Sequence, residues 1–403
     1  MRHKTVRNKV TYFPVGSADM SLVQLENGFT ILVDCYLQEE ATQNRPTIAD
    51  DLYKWLPRDN KGRPYVDVFL LTHPDQDHCK GAKEFLHLDR PDKYNDNPGS
   101  GVRKKIFIRE MWSSPLIYRR RSKKYKLCDD AVAINTEAKQ RVKIYKDKYP
   151  DWDTDGNRIL ILGADYKDDD GTDRLEGLDG IRFDIDKSIP VSNENGHIML
   201  YATVLAPLPP SEVEGGEDIL TKNNSSVIMQ MAVKASNDDT TGNLLLFGGD
   251  AEVEIWRQLW DKHNGKASPL IYDILLAPHH CSWGVLSSDA ASDNSAKADP
   301  KARAALGQCR NNAYIVASSE PVIDNEDRPP MLRAKNEYIT ILKERQSSDD
   351  HFLCTGEFPT KLAPEPLTFD FTPSGPKAPS RKTKTTNPAL MSSIASQNPR
   401  PHG

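Results

Sequence analysis

The segment Leu70-Leu71-Thr72-His73-Pro74-Asp75-Gln76-Asp77-His78-Cys79-Lys80-Gly81 ends a continuous apolar run, Val66–Thr72, and puts four candidate metal ligands into the next six residues. A run with so little polar alternation is what a strand buried on both faces requires. In an extended chain alternate residues point the same way, so His73 and Asp75 share one side. A helix is expected over about Lys80–Leu86, and as the chain turns into it Asp77 and His78 reach the same space. A turn that used aspartates only as helix caps would need neither histidine. Metal binding accounts for all four residues.

Two other apolar runs end in a similar way. Ile274-Leu275-Leu276-Ala277 leads into Pro278-His279-His280-Cys281-Ser282, where one of His279 and His280 can face inward and the other can touch substrate. Leu244-Leu245-Leu246-Phe247 leads into Gly248-Gly249-Asp250, with glycines where backbones approach closely. Taken singly, adjacent histidines read as a satisfied structural pair and Asp250 as a helix cap. Only ten histidines are present, however, and four of them fall in these two clusters. Of the others, only His197, just before an apolar run, is kept as a substitute ligand.

The rest of the chain agrees with a large folded protein. It has 403 residues, 37% hydrophobic and 28% charged, and no apolar run long enough to span a bilayer. The basic start MRHKTVRNKV is not followed by an apolar stretch, so no secretory signal is expected. Six scattered cysteines without a CxxC pair read as reduced thiols, which points to a cytoplasmic protein. Fifty-three basic and 58 acidic residues give a net charge of −5, which excludes a wholly basic nucleic-acid binder but not a local basic groove. Strands are expected at Val10–Pro14, Ser21–Leu25, Thr30–Cys35, Lys105–Trp112, Ile198–Ala206, Ser226–Val233, Asn243–Phe247, Ile271–Ala277 and Ala313–Ala317. Helices are expected at Asp130–Lys148, Val253–His263 and Lys335–Glu344. Strand-rich halves separated by helices imply an α/β fold of two sheets with helices outside.

An ordered set of motifs resembles the metallo-β-lactamase superfamily: Asp34 after Ile31-Leu32-Val33, the HxDxDH loop, Gly249-Asp250, then His279-His280. Within it the chain resembles the hydrolase domain of the bacterial competence DNA-uptake protein family. The matching features there are Val15-Gly16-Ser17-Ala18-Asp19, the HxDxDHxxG loop, Asn223-Asn224-Ser225-Ser226-Val227, and the Gly-Asp and Pro-His-His strand ends. The likeness covers about residues 10–86 and 200–320. It implies an αββα sandwich of two mixed sheets with outer helices, formed by a hydrolase domain over 1–371. An elaboration is expected at about 88–196 and a disordered basic tail at 372–403. Three departures stand out. Position 75 is Asp where the superfamily's loop commonly has His, the usual third-motif histidine is replaced near 223–226, and Cys281 stands where the subgroup has Gly. One or two divalent ions, Zn or Mn, are expected; fewer imidazoles and more oxygen donors argue against two tight zinc ions, favour the harder Mn²⁺ at one position and leave a single-metal site open.

The expected ligands are His73, Asp75, Asp77, His78, Asp250 and His279 or His280, with Asp250 as a bridge because a carboxylate has two oxygens. Asp34 is expected to orient a ligand histidine. Candidate catalytic groups are Asp77 and His280, with Asn224, Ser226 and Ser282 steadying charge on the substrate. Tyr118-Arg119-Arg120-Arg121-Ser122-Lys123-Lys124-Tyr125-Lys126 carries six basic residues in eight positions from Arg119 and could grip a phosphate backbone or a protein partner. Asp151-Trp152-Asp153-Thr154-Asp155-Gly156 matches half of a calcium loop, but Leu162 takes the place of its final Glu, so it reads as an Asp-rich turn. The expected activity is phosphodiester hydrolysis, on nucleic acid or a nucleotide. Rivals are hydrolysis of a thioester, lactone or small ester, and a non-catalytic or partner-dependent regulatory role.

Overall fold

The computed structural model describes residues 7–38, 47–120, 126–167, 170–209, 220, 222–236, 239, 241–264, 268–324 and 328–379. Its first sheet takes the chain's first eight strands: β1 (Lys9–Tyr12), β2 (Ser21–Gln24), β3 (Thr30–Val33), β4 (Tyr65–Leu70), β5 (Leu86–His87), β6 (Ile106–Ser113), β7 (Arg158–Leu162) and β8 (Arg182–Phe183). The second sheet takes β9 (Ser188–Ser192), β10 (Ile198–Ala206), β11 (Ile228–Val233), β12 (Asn243–Phe247), β13 (Tyr272–Leu276), β14 (Cys309–Ala317) and β15 (Phe352–Cys354). After a small hairpin of β16 (Pro359–Thr360) and β17 (Ala363–Pro364), the chain returns to the first sheet. There β18 (Leu367–Thr372) and β19 (Gly375–Lys377) complete the edge beside β1.

Both sheets are mixed. β1, β2 and β3 form an antiparallel meander, and β3, β4, β6 and β7 run parallel. In the second sheet β9 to β12 are antiparallel and β12 to β15 parallel. Alternation along the strands shows the layering. Leu245, Phe247, Ile274, Leu276 and Val316 join the core between the sheets, with Ile31, Val68 and Phe369 from the first sheet. Leu246, Tyr272, Leu275, Ile315 and Ala317 point the other way, onto helices Val253–His263, Pro300–Leu306 and Leu332–Glu344. On the first sheet's outer side, Ala131, Ile134 and Ala138 of helix Asp129–Lys146 pack into its core. This is the expected αββα sandwich of two mixed sheets with outer helices. Among the described residues no helix is long and apolar enough to cross a membrane.

Three expectations need adjusting. The stretch at 88–196 is not simply an addition, because β6 and β7 extend the first sheet in parallel with β4 and bury Ile108, Met111 and Leu162. The expected tail boundary at 372 falls inside a hairpin, since Gly375–Lys377 pairs with β18; residues 380–403 lie outside the described residues. The helix expected at Lys80–Leu86 is two short pieces, Gln76–Cys79 and Ala82–Phe85. Gly81 separates them at φ +80, where a Cβ would run into the Leu37 carbonyl.

Candidate metal centre

β12 and β13 pair in parallel, so their carboxyl ends lie together, and the residues after β4 of the first sheet meet them. Val33 pairs with Leu70, which sets Asp34 beside the start of the 72–78 loop, and Val227 N–H donates to the Thr72 carbonyl at 2.9 Å, tying the two sheets there. Among the described residues, one ligand atom each from Asp77, His78, Asp250 and His280 lies within 4.8 Å of the other three. A second group, Asp19, Asp34 and His78, adjoins it.

His78 is fully buried and held from both sides. Its Nδ1 lies 3.0 Å from Asp34 Oδ2 and its Nε2 2.9 Å from Asp250 Oδ1. Asp34 in turn accepts from Thr72 N–H at 2.7 Å and from the Thr72 hydroxyl at 2.6 Å. It does so from a left-handed conformation, φ +58, which Asp tolerates better than most residues. Gly249, at φ +50, lets the β12 end approach Ser226, whose Cβ would lie 2.9 Å from any Cβ added to the glycine. Asp250 N–H then donates to Ser226 Oγ at 3.1 Å.

The His-His turn has an unusual backbone. His279, His280 and Cys281 have φ of +48, +52 and +70, three consecutive left-handed residues without a glycine. Each costs about 1–2 kcal/mol relative to ordinary helical geometry, so the surrounding bonds must impose the turn. His279 N–H donates to Gly249 O, and Met331 N–H donates to Cys281 O, both at 3.0 Å. Cys281 therefore adopts the conformation that glycine would favour at that position. The turn buries His280, whose Nε2 is 3.2 Å from Asp77 Oδ2 and whose Nδ1 is 3.4 Å from Asp19 Oδ1. His279 remains at the rim, 23% exposed, with Nε2 3.9 Å from Asp250 and Nδ1 3.6 Å from Glu252. The geometry thus gives the inward position to His280 and the rim to His279, a choice the sequence left open.

His73 is buried, with Nδ1 3.4 Å from Ser226 Oγ and Nε2 3.4 Å from Asp75 Oδ2; its ring centre is 5.4 Å from that of His78. His73 and Asp75 stand next to the four-residue cluster as a neighbouring donor pair. Ser226 and Ser282, expected to steady charge on the substrate, are buried and engaged within the protein. Ser226 Oγ donates to Asn223 O at 2.7 Å while seating Asp250, and Ser282 Oγ accepts from Gly284 N–H at 3.2 Å. Asn224 Oδ1 accepts from Glu252 N–H at 3.0 Å, which ties the 223–226 turn to the start of the next helix. Arg120 is buried and donates to the Leu208 carbonyl at 2.7 Å, and Arg119 is ion-paired to Asp165. Arg121, Lys123 and Lys124 lie outside the described residues. His197 is exposed in a hairpin turn away from the cluster, and Asp155 of the Asp-rich turn pairs with Arg109 and Arg158. Asp19 had no assigned role, although the Val-Gly-x-x-Asp match contained it. It is buried against both His280 and His78.

The charges balance internally. Burial lowers the affinity of His280 for a proton, but Asp19 and Asp250, with Asp77, outweigh it and raise its pKa to about 10. Burial acts likewise on His78, and Asp250 and Asp34 raise it well above the usual imidazole range. Burial raises Asp77, yet the hydrogen bond from His280 and the charge of His78 bring it down to about 2. Asp250 is held well below the carboxylate range against its burial by His78, His279 and His280. Protons on the imidazoles thus neutralise carboxylates that a cation would otherwise neutralise. His73 Nε2 and Asp19 Oδ1 are buried without hydrogen-bond partners. A buried set of imidazoles and carboxylates with such atoms beside it fits a divalent metal.

Fold and cluster together define a two-sheet α/β protein with a histidine and carboxylate centre at the carboxyl edge of its strands. In structure the chain is similar to the diiron β-hydroxylase CmlA from Streptomyces venezuelae, at 12% identity and a TM-score of 0.37; the match covers 87% of this chain but only 53% of that one. It is also similar to Zn²⁺-bound PqqB from Methylobacterium extorquens, at 10% identity over 90% of this chain and 99% of that one, with a TM-score of 0.38. A third likeness is to Igni18, a metallo hydrolase from Ignicoccus hospitalis, at 13% identity over 91% and 100% of the two chains, with a TM-score of 0.36. The chain thus spans about half the length of CmlA and essentially all of the other two. No protein-family model matches the chain, and no curated protein matches its sequence.

Proposed function

We propose that the chain is a metal-dependent hydrolase of the metallo-β-lactamase superfamily, loaded with one or two ions of Zn or Mn, whose substrate is a phosphodiester in a nucleic acid or nucleotide. The convergence of Asp77, His78, Asp250 and His280 at one strand edge carries the metal assignment. A divalent ion bound there supplies Lewis acidity and makes water nucleophilic near neutral pH. The chain's own residues position the donors. Asp34 fixes the ring of His78, Asp19 and Asp77 hold His280, and Ser226 seats Asp250. His73 and Asp75 offer donors for a second ion, and His279 and Glu252 form the rim that a substrate meets.

The phosphodiester preference is supported by the motif likeness to the competence hydrolase domain. A small ester is the second reading. The structure supports it by engaging Arg119 with Asp165 and burying Arg120, which removes two cations from a polyanion grip. Purified chain reconstituted with Zn or Mn should hydrolyse bis(p-nitrophenyl) phosphate faster than thioester, lactone or simple ester substrates. Turnover of the esters with the diester untouched would overturn the preference. Full metal retention by both His73→Ala and Asp250→Ala would overturn the site itself. If the chain retains metal but turns over no substrate, the partner-dependent reading through the basic stretch or tail takes its place.

A further inference from the structure

Two thiols lie against the metal loop and have no part in the proposed hydrolysis. Cys79 directly follows His78 and is fully buried, whereas Cys128, at the start of helix Asp129–Lys146, is the one cysteine of the six that is not buried. Their sulfurs are 3.4 Å apart. Cys79 Sγ is also 3.1 Å from the carbonyl oxygen of Asp75, so its S–H sits between Cys128 and the backbone of the loop that carries the donors. Reactivity towards peroxides requires a thiolate that solvent can reach. The neighbouring S–H of Cys79 lowers the Cys128 thiol to about 6, against burial, with help from the first-turn N–H groups of Ala131 and Asp130.

We propose that Cys128 is a site of oxidation by hydrogen peroxide, and that the product is a Cys79–Cys128 disulfide that displaces the metal loop. The Cys128 thiolate attacks one peroxide oxygen and the O–O bond breaks. The departing hydroxide takes up a proton and leaves as water, so Cys128 becomes a sulfenic acid. Cys79 Sγ then attacks Cys128 Sγ, and its proton leaves with the hydroxyl as a second water. The two thiols lose two electrons in all, and the peroxide gains them. A disulfide bond is about 2.05 Å long, so the sulfurs must close by about 1.4 Å from their 3.4 Å separation. The S–H next to the Asp75 carbonyl is lost at the same time. Cys79 is bonded in sequence to His78, whose carbonyl accepts from Cys35 N–H at 2.8 Å, so the shift reaches a metal donor directly. Displacements of about 1 Å in such centres cost up to about 100-fold in activity.

The test uses the full chain, reduced and loaded with Zn, treated with stoichiometric hydrogen peroxide. Intact mass, free-thiol count, peptide mapping and Zn retained after gel filtration are measured together. The expected result is loss of two thiols and two mass units, a cross-linked peptide joining residues 79 and 128, and at least tenfold weaker Zn retention that dithiothreitol restores. Cys128→Ser should form no cross-link and keep its Zn under peroxide. Sulfinic or sulfonic acid at Cys128 with Cys79 still free would overturn the proposal, as would equal thiol loss in Cys128→Ser. A cross-link that leaves Zn retention unchanged would overturn the displacement of the loop. The thiol and mass readouts do not depend on the hydrolase reading.

Discussion

Asp34→Asn isolates the role of the carboxylate behind His78. Asparagine has nearly the same shape and accepts φ +58, so the backbone need not move. What changes is hydrogen-bond polarity. Asp34 accepts from Thr72 N–H, from the Thr72 hydroxyl and from His78 Nδ1. In the variant the amide oxygen must face the Thr72 N–H, because the other orientation sets two donors against each other. The amide NH₂ group then faces His78 Nδ1, which can accept only as a bare nitrogen. The ring then gives up its Nδ1 proton and keeps the one on Nε2, the nitrogen 2.9 Å from Asp250 that a metal would need. Groups behind a metal-bound histidine typically contribute 10–100-fold in affinity, about 1.4–2.7 kcal/mol. Loss of one charge-assisted hydrogen bond should also cost about 1.5–3 kcal/mol in the metal-free fold. Equilibration against graded chelator with elemental analysis measures the first effect, and urea unfolding of chelated protein the second. Metal affinity of Asp34→Asn within threefold of the parent, in protein that still unfolds cooperatively, would refute the tautomer argument.

Other outcomes can be checked independently. In chelated protein, His280 with its pKa raised to about 10 contributes stability that is complete below the unfolded value of 6.5 and lost as pH rises through 10. Asp77, lowered to about 2, contributes stability that is present above 3.8 and lost as pH falls through 2. The metal-free urea midpoint should therefore be highest between those limits and decline towards pH 9, while metal affinity rises over the same range because the imidazoles must lose protons. Gly81→Ala places a Cβ against the Leu37 carbonyl at φ +80 and should destabilise the fold by about 2–4 kcal/mol in urea unfolding. Glu137→Ala leaves buried Arg141 without its 2.7 Å partner and should cost about 3–5 kcal/mol in the same assay.

Much of this was legible where local pattern and tertiary demand agree. Asn243–Phe247 and Val253–His263 were expected with the bounds they have, because an apolar Leu-Leu-Leu-Phe run ending in two glycines and an amphipathic helix leave little choice. The strand-end positions of the 73–78, 250 and 279–280 clusters were likewise readable. Helix Ile48–Trp55 was missed, although Ile48, Ala49, Leu52 and Tyr53 mark one apolar face after Pro46-Thr47. Strand β7, Arg158–Leu162, was hidden inside the segment read as an elaboration at about 88–196; its RILIL run was the available signal. The roles of Ser226 and Ser282 were not readable, since an exposed hydroxyl and one that caps a turn have the same sequence. Choosing between His279 and His280 required the backbone, because three left-handed residues in succession reverse the side-chain directions that a strand or helix would give.

The connection between β1 and β18 bears on biosynthesis. Thr11 and Thr368, 357 positions apart in the chain, touch across that pair. At about 5–20 residues per second on a ribosome, β1 waits roughly 20–70 s for its neighbour. During that interval its edge is an open template for other chains, so translation arrest or early termination before Leu367 should favour aggregation. The donors Asp77, His78, Asp250 and His280 have all emerged well before that point. Metal captured by the nascent chain would hold the two sheets together while the first remains unfinished, and metal supply during synthesis would then govern yield as well as activity.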